Sequence, residues 1–342
     1  MRPTRRQLLG AGLGGVVAAG IGLPAAAELS AEGLVRSRIR PPKFRDAWFP
    51  ITQYGATPGG ATDCTAAIAA AVAACHQAGG GHVVVPPGVW QTGAINLLSH
   101  VDLHLEEGAT LRFSTDPAAY LPVVRTRWQS VEVYNYSSLI RAEGQTGIGI
   151  TGKGVLDGAG DNEHWWYLIG SGQYGWHSGL PNQRADWAEL ERMNNEQVPL
   201  EQRVFGAGHY LRPSFIQPFR CTNVLIEGVT VKGSPMWTIH PLECRNVTIQ
   251  GVTVDNLGPN GDGCDPESCT DVLIRDCTFA THDDCIAIKS GRDADGRRLG
   301  LPSRGIIVED CTFVSGGAAV AVGSEMSGGI EDVFVRRLHA PA

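Results

Sequence analysis

A parallel β-helix, an all-β solenoid, is the fold this sequence predicts, on three observations. Segments of one pattern recur at roughly constant spacing, which marks a repeat architecture. Each repeat carries short β-branched strands and no helix-length periodic run. Glycine is abundant, 44 of 342 residues, as a chain of many tight corners requires. A chain of this length is also too long for one compact core unless it is elongated or repetitive.

The repeats are "CTNVLIEGVTV" from Cys221, "CRNVTIQGVTV" from Cys244, "CTDVLIRDCTF" from Cys269, "SRGIIVEDCTF" from Ser303 and "IEDVFVRRLHA" from Ile330. The steps between them are 23, 25, 34 and 27 residues, the long one holding the insertion "GRDADGRRLGLP". A propeller blade needs about 40 residues and four antiparallel strands, so stacked coils fit better. Equivalent positions then form columns: Cys221, Cys244 and Cys269; Cys277 and Cys311; Asn223, Asn246 and Asp271. Five of the nine cysteines fall in these columns, and stacked thiols read as buried apolar groups rather than disulfides.

Earlier segments fit the same plan. Residues 1–27 read as an export signal: Arg5 and Arg6 precede a Gly/Ala-rich apolar run, the pattern of a twin-arginine leader. The mature chain is expected to be secreted or periplasmic, monomeric and free of the membrane. "DCTAAIAAAVAAC" reads as a short helix N-capped by Asp63 that covers the first coil. The domain is expected to span residues 45–342 as one β-helix, with a long excursion over one face at about 159–214. A net charge of −7 argues against a nucleic-acid partner held by bulk charge.

The chemistry is expected where "DGCDPES", "DCIAIKS" and "AAVAVGS" align on Ser268, Ser290 and Ser324. That register stacks Asp262 on Asp284 in the next coil, with Asp283 one residue before. Like charges so close raise at least one pKa, so one carboxyl can stay protonated while another stays ionised. Hydrolysis of a glycosidic bond uses that division between acid and base. Two other readings share the pattern: acids that only cap turns, and a Ca²⁺ site.

"GPNGDGCDPES", "DDCIAIKSGRDADGRR" and "VGSEMSGG", with "LHLEEGATLRFSTDPAAYLPVV" and "ITGKGVLDG", resemble the polygalacturonase family, glycoside hydrolase family 28. The resemblance implies a right-handed, pectin-lyase-like β-helix and metal-free, cofactor-free inverting hydrolysis of α-1,4-linked galacturonan. The partner would be an acidic plant polysaccharide, pectin or its oligogalacturonides. By the same match Asp283 would donate a proton to the glycosidic oxygen, and Asp262 and Asp284 would activate water. Asn260 falls on the first residue of the family's Asn-Thr-Asp motif. Lys289 and Arg292 could meet a galacturonate carboxylate, and His282 sits beside the acid pair.

The match departs in places. Gly261 stands where the family has Thr, and His282 where it has Gly or Gln. Gly317 stands where the family has a catalytic-site His, a position that stacks over Asp283. The family's Arg-Ile-Lys coil is missing before Ala342, so a C-terminally truncated chain with impaired turnover is expected. Two alternatives remain beside hydrolysis: an inactive β-helix that binds acidic polysaccharide, and a Ca²⁺-dependent pectate lyase.

Overall fold

A computed structural model describes residues 30–340; the expected export signal at 1–27 lies outside them. The chain winds into a right-handed parallel β-helix with three faces. One face is a nine-stranded sheet that takes Thr222–Glu227, Arg245–Gln250, Thr270–Arg275, Ser303–Glu309 and Ile330–Arg336 in succession. These are the five repeats, and Val224, Val247, Val272, Ile306 and Val333 stand in one register column. A seven-stranded sheet forms the second face. Shorter rungs form the third, ending in bridges Leu242↔Glu267↔Lys289 and in Ala287–Ile288 paired with Ala321–Val322.

The corners explain the polar columns. Asn223, Asn246 and Asp271 all hold φ between 56° and 60°, the left-handed region that Asn and Asp tolerate best. The Asn246 side-chain amide donates to Asn223 Oδ1 at 2.6 Å, so the column also binds coil to coil. Inside, all nine cysteines are buried and free. Cys269 Sγ accepts the Cys244 N–H at 3.4 Å, and the thiols fill the core as small apolar groups.

Helix α1 (Ala31–Arg38) was not expected. Val35 and Ile39 pack on Leu273 and Ile307 of the nine-stranded sheet, and Arg38 pairs with Asp271 at 2.7 Å. The packed unit therefore begins ahead of residue 45. Helix α2 (Thr65–Gln77) covers the first coil as expected, burying Ile68, Ala71, Val72 and Cys75. Its cap position is Cys64 rather than Asp63. Asp63 Oδ1 still accepts the Thr65 N–H at 2.9 Å, one position displaced.

Two further pieces roof the third face. The hairpin Val124–Trp128/Val131–Asn135 is antiparallel. The excursion at 159–214 carries helix α3 (Arg184–Asn195). The insertion "GRDADGRRLGLP" holds helix α4 (Asp293–Leu299). Its Asp295 is buried against Arg203 at 2.6 Å, which turns an acidic loop residue into an anchor. Among the described residues no helix is long and apolar enough to cross a membrane.

Candidate active site

The coil register puts the acids together. Gly263 N–H donates to the Asp284 carbonyl at 2.9 Å, which stacks Asp262 on Asp284 as the sequence alignment expects. Gly317 N–H donates to the Asp283 carbonyl at 2.8 Å and Cys285 N–H to that of Ala318 at 2.8 Å. Backbone pairing thus fixes all three acids at the corner where the seven-stranded sheet turns into the third face. One oxygen from each of Asp262, Asp283 and Asp284 lies within 4.8 Å of the others. Asp262 is buried, and the other two are half-exposed.

Such a trio suits either acid–base work or a divalent cation. A cation is already present in the form of Lys289. Its ammonium lies 2.9 Å from Glu325 and 3.6 Å from both Asp262 and Asp265. It also sits 4.5 Å above the centre of the Trp237 ring. Lys289 is buried, so its charge faces the protein's own acids rather than the open cleft. Its backbone does pair in register with Glu267, but that carboxylate is bound by Arg127 at 2.7 Å and His240 at 2.9 Å. Trp237, which meets the Lys289 ammonium, and His240, bound to Glu267, are both buried.

The electrostatics follow from this burial. Loss of water pushes the Asp262 carboxyl up to about 7, against the pull of Lys289. Asp284 is raised too, first by burial and then by Asp283 beside it. Asp265, fully buried, is pushed well above the usual carboxylate range by burial and by Asp262.

The remaining expected residues take distinct places. Asn260 holds a left-handed φ of 52°, and its Oδ1 accepts from Arg212 at 2.8 Å. His282 is exposed, with Nε2 2.6 Å from the Tyr174 hydroxyl. Arg292 spreads its guanidinium over Gln129 at 3.0 Å, Glu191 at 3.2 Å and Glu325 at 3.7 Å. A Cβ on Gly317 would stand 3.1 Å from Asp284 Oδ1. Side-chain space at that position therefore borders Asp284, although its backbone stacks over Asp283. Of the excursion's aromatics, Trp165 is buried in the core, while Trp166 lines a hollow of about 320 Å³ with Arg112, Lys232 and Leu257.

Four residues of the site escaped the sequence reading. Arg212 is fully buried, donates to Gln183, the carbonyls of Pro235 and Pro259, and Asn260, and has its pKa lowered to about 9 by burial. Tyr174 reaches the site from the excursion, and no local pattern announces either residue. Asp265 and Glu325 stand inside the quoted motifs "DGCDPES" and "VGSEM", where only coil stacking reveals their convergence.

The model of "Glycosyl hydrolases family 28" matches residues 207–339. The chain is 33% identical to the "Probable polygalacturonase" of Vitis vinifera over 83% of this chain and 52% of that one. It is 29% identical to the "Exo-poly-alpha-D-galacturonosidase" of Dickeya chrysanthemi over 83% of this chain and 48% of the other. The chain thus spans about half the length of these curated relatives. The crystal structure of a hyperthermoactive exopolygalacturonase from Thermotoga maritima superposes with a TM-score of 0.88 at 47% identity, covering 90% of this chain and 69% of that one.

Proposed function

The chain belongs to glycosyl hydrolases family 28, and from that premise we propose that it hydrolyses α-1,4-galacturonosidic bonds of pectin and polygalacturonate. The observation that carries this is the trio Asp262, Asp283 and Asp284, with oxygens within 4.8 Å on two successive coils. Asp283 gives its proton to the glycosidic oxygen as the bond to the anomeric carbon breaks. A water attacks that carbon from the opposite face and gives its proton to Asp262 or Asp284. Burial makes Asp262 a stronger base than an ordinary carboxylate. The oxygens lie closer than the ~6.5–9.5 Å usual for an inverting pair, so inversion rests on the family resemblance.

Two finer features belong to the same reading. Cutting from a chain end is the finer reading, with Tyr174 of the excursion bonded at 2.6 Å to His282, the residue beside Asp283. The Thermotoga maritima relative is named as an exo-acting enzyme. Export of a monomer through the paired arginines Arg5 and Arg6 completes the assignment; replacing both by lysine is expected to retain the protein in the cytoplasm.

The deciding experiment incubates the chain with polygalacturonate in EDTA. Hydrolysis gives new reducing ends without unsaturated uronide absorbance, and NMR of fresh product reads the β-anomer if inversion holds. Exo action releases only short products while the polymer's viscosity falls slowly. Metal-dependent unsaturated product would replace the assignment with a lyase. Because Gly317 supplies no imidazole beside Asp284, a second reading is a polysaccharide binder without turnover; retained binding with no product would establish it.

A further inference from the structure

We propose that Asp265 is a positioning residue of this site: it keeps its proton and donates it in a hydrogen bond to Asp262. The proposal rests on the hydrolytic reading above and adds a fourth carboxyl to it.

Asp265 has no exposed surface, and among the described residues no N–H or O–H donates to either of its oxygens. An ionised carboxylate in that position would be a buried anion without a hydrogen-bond donor, a strongly disfavoured state. The charges around it make this worse. Asp262 shares the Lys289 ammonium with it, each carboxylate 3.6 Å from Nζ, the two carboxyls interact directly, and Glu325 stands close by. Lys289 is the cation that faces it, 3.6 Å away, and its short contact goes to Glu325. Arg292 reaches only the far side, 3.7 Å from Glu325. His240, its neighbour in the preceding coil, is bound to Glu267 and Gln217.

Two carboxyls in contact away from water share a proton rather than both ionising. The more deeply buried one, Asp265, carries it. A protonated Asp265 satisfies its own buried O–H and gives Asp262 a donor. Asp262 then presents a fixed oxygen to the water, and its ionised form is favoured over what burial alone would leave. Burial's upward push on both groups agrees with this.

The test compares two variants. Asp265→Asn keeps a neutral N–H donor of the same shape, and Asp265→Ala removes it. Asp265→Asn is expected to hold kcat/KM within about tenfold of the parent, with its acidic limb in place. Asp265→Ala is expected to lower kcat by about a hundredfold, leave KM nearly unchanged and move the acidic limb to higher pH. Equal damage from both variants would overturn the proposal, because Asp265 would then act as an anion, and so would an undamaged Asp265→Ala. A readout without turnover is the infrared difference spectrum of the parent protein against Asp265→Asn at neutral pH. A protonated-carboxyl band present only in the parent supports the proposal, and its absence overturns it. The band decides the point even if Asp265→Ala fails to fold or the parent proves not to hydrolyse galacturonan.

Discussion

Lys289 holds Glu325 at 2.9 Å directly under the acid trio, while Asp262 and Asp265 stand farther from the same ammonium, at 3.6 Å. One buried cation therefore compensates several carboxyls and is not free to grip a substrate carboxylate. Lys289→Met keeps the stem over Trp237 and removes the charge. It is expected to destabilise the protein by about 3–5 kcal/mol at neutral pH, the scale for breaking a buried ion pair. Without the ammonium the folded carboxyls hold protons more tightly, and such raised groups oppose folding more as pH rises. The deficit in thermal or urea unfolding should therefore shrink toward pH 4. A deficit equal at all pH values would show that Lys289 acts by packing alone.

The pH profile assigns the role of Asp262. Its carboxyl is pushed up to about 7 by burial. A base must be ionised to accept a proton, so kcat/KM is expected to fall as pH drops below about 7, roughly tenfold per unit. If Asp262 were instead the donor, the decline would come above 7. Measuring kcat/KM from pH 4 to 9 distinguishes the two directions.

The coil, its register and the acid trio were legible because a parallel β-helix writes its contacts into sequence spacing. Stacked corners share residue types, so Asn223, Asn246 and Asp271 could be aligned without coordinates. What was not legible came from outside the repeat. Helix α1 lies across the nine-stranded sheet through Val35 and Ile39, and nothing in a coil predicts what packs on its outer face. From the excursion Arg212 reaches Asn260 and Tyr174 reaches His282, and the excursion's path follows no period. Lys289 was placed in the right column, yet the direction of its ammonium depends on Glu325, one coil later and offset by the α4 insertion.

Gly317→His tests the departure at the family's histidine position. The new Cβ would stand 3.1 Å from Asp284 Oδ1, a contact relieved by a shift of a few tenths of an ångström. Gly317 is exposed, so an imidazole has room. It is expected to hydrogen-bond Asp284 and raise kcat by about ten- to a hundredfold, short of a full family rate. NMR titration should show the Asp284 carboxyl moving down. An unchanged kcat would mean that the acids are already oriented without it.

Glu267 governs acid stability. Burial alone would raise its pKa, but Arg127 and then His240 outweigh that and hold it at about 2. Its unfolded value is about 4.3. The stabilisation is therefore complete above about 4.3 and lost as pH falls through 2, a contribution of about 3 kcal/mol. Unfolding free energy should slope downward across that window. In Glu267→Gln the slope should flatten, and Arg127, which keeps Glu243 but loses its charged partner at Glu267, should lower stability at neutral pH by a further amount of about 1–3 kcal/mol.

Restoring the family's threonine at Gly261 is expected to damage this chain. A Cβ there would stand 2.5 Å from the Gly258 carbonyl oxygen and 2.7 Å from that of Asn256. Both obstacles are backbone, so no side chain can swing away. The turn from Asn256 to Asp262 is held by Asn256, whose amide donates to the Met236 carbonyl at 3.0 Å and Thr238 Oγ1 at 3.1 Å. Arg212 holds the same turn through Pro259 and Asn260. Gly261→Thr must therefore push this turn outward and carry Asp262 with it. A loss of about 2–4 kcal/mol in unfolding free energy is expected, the scale of overpacking against a rigid wall. The loss in kcat should exceed that of Gly261→Ala. If Gly261→Thr were as stable and active as the parent, the turn would be looser than its hydrogen bonds imply.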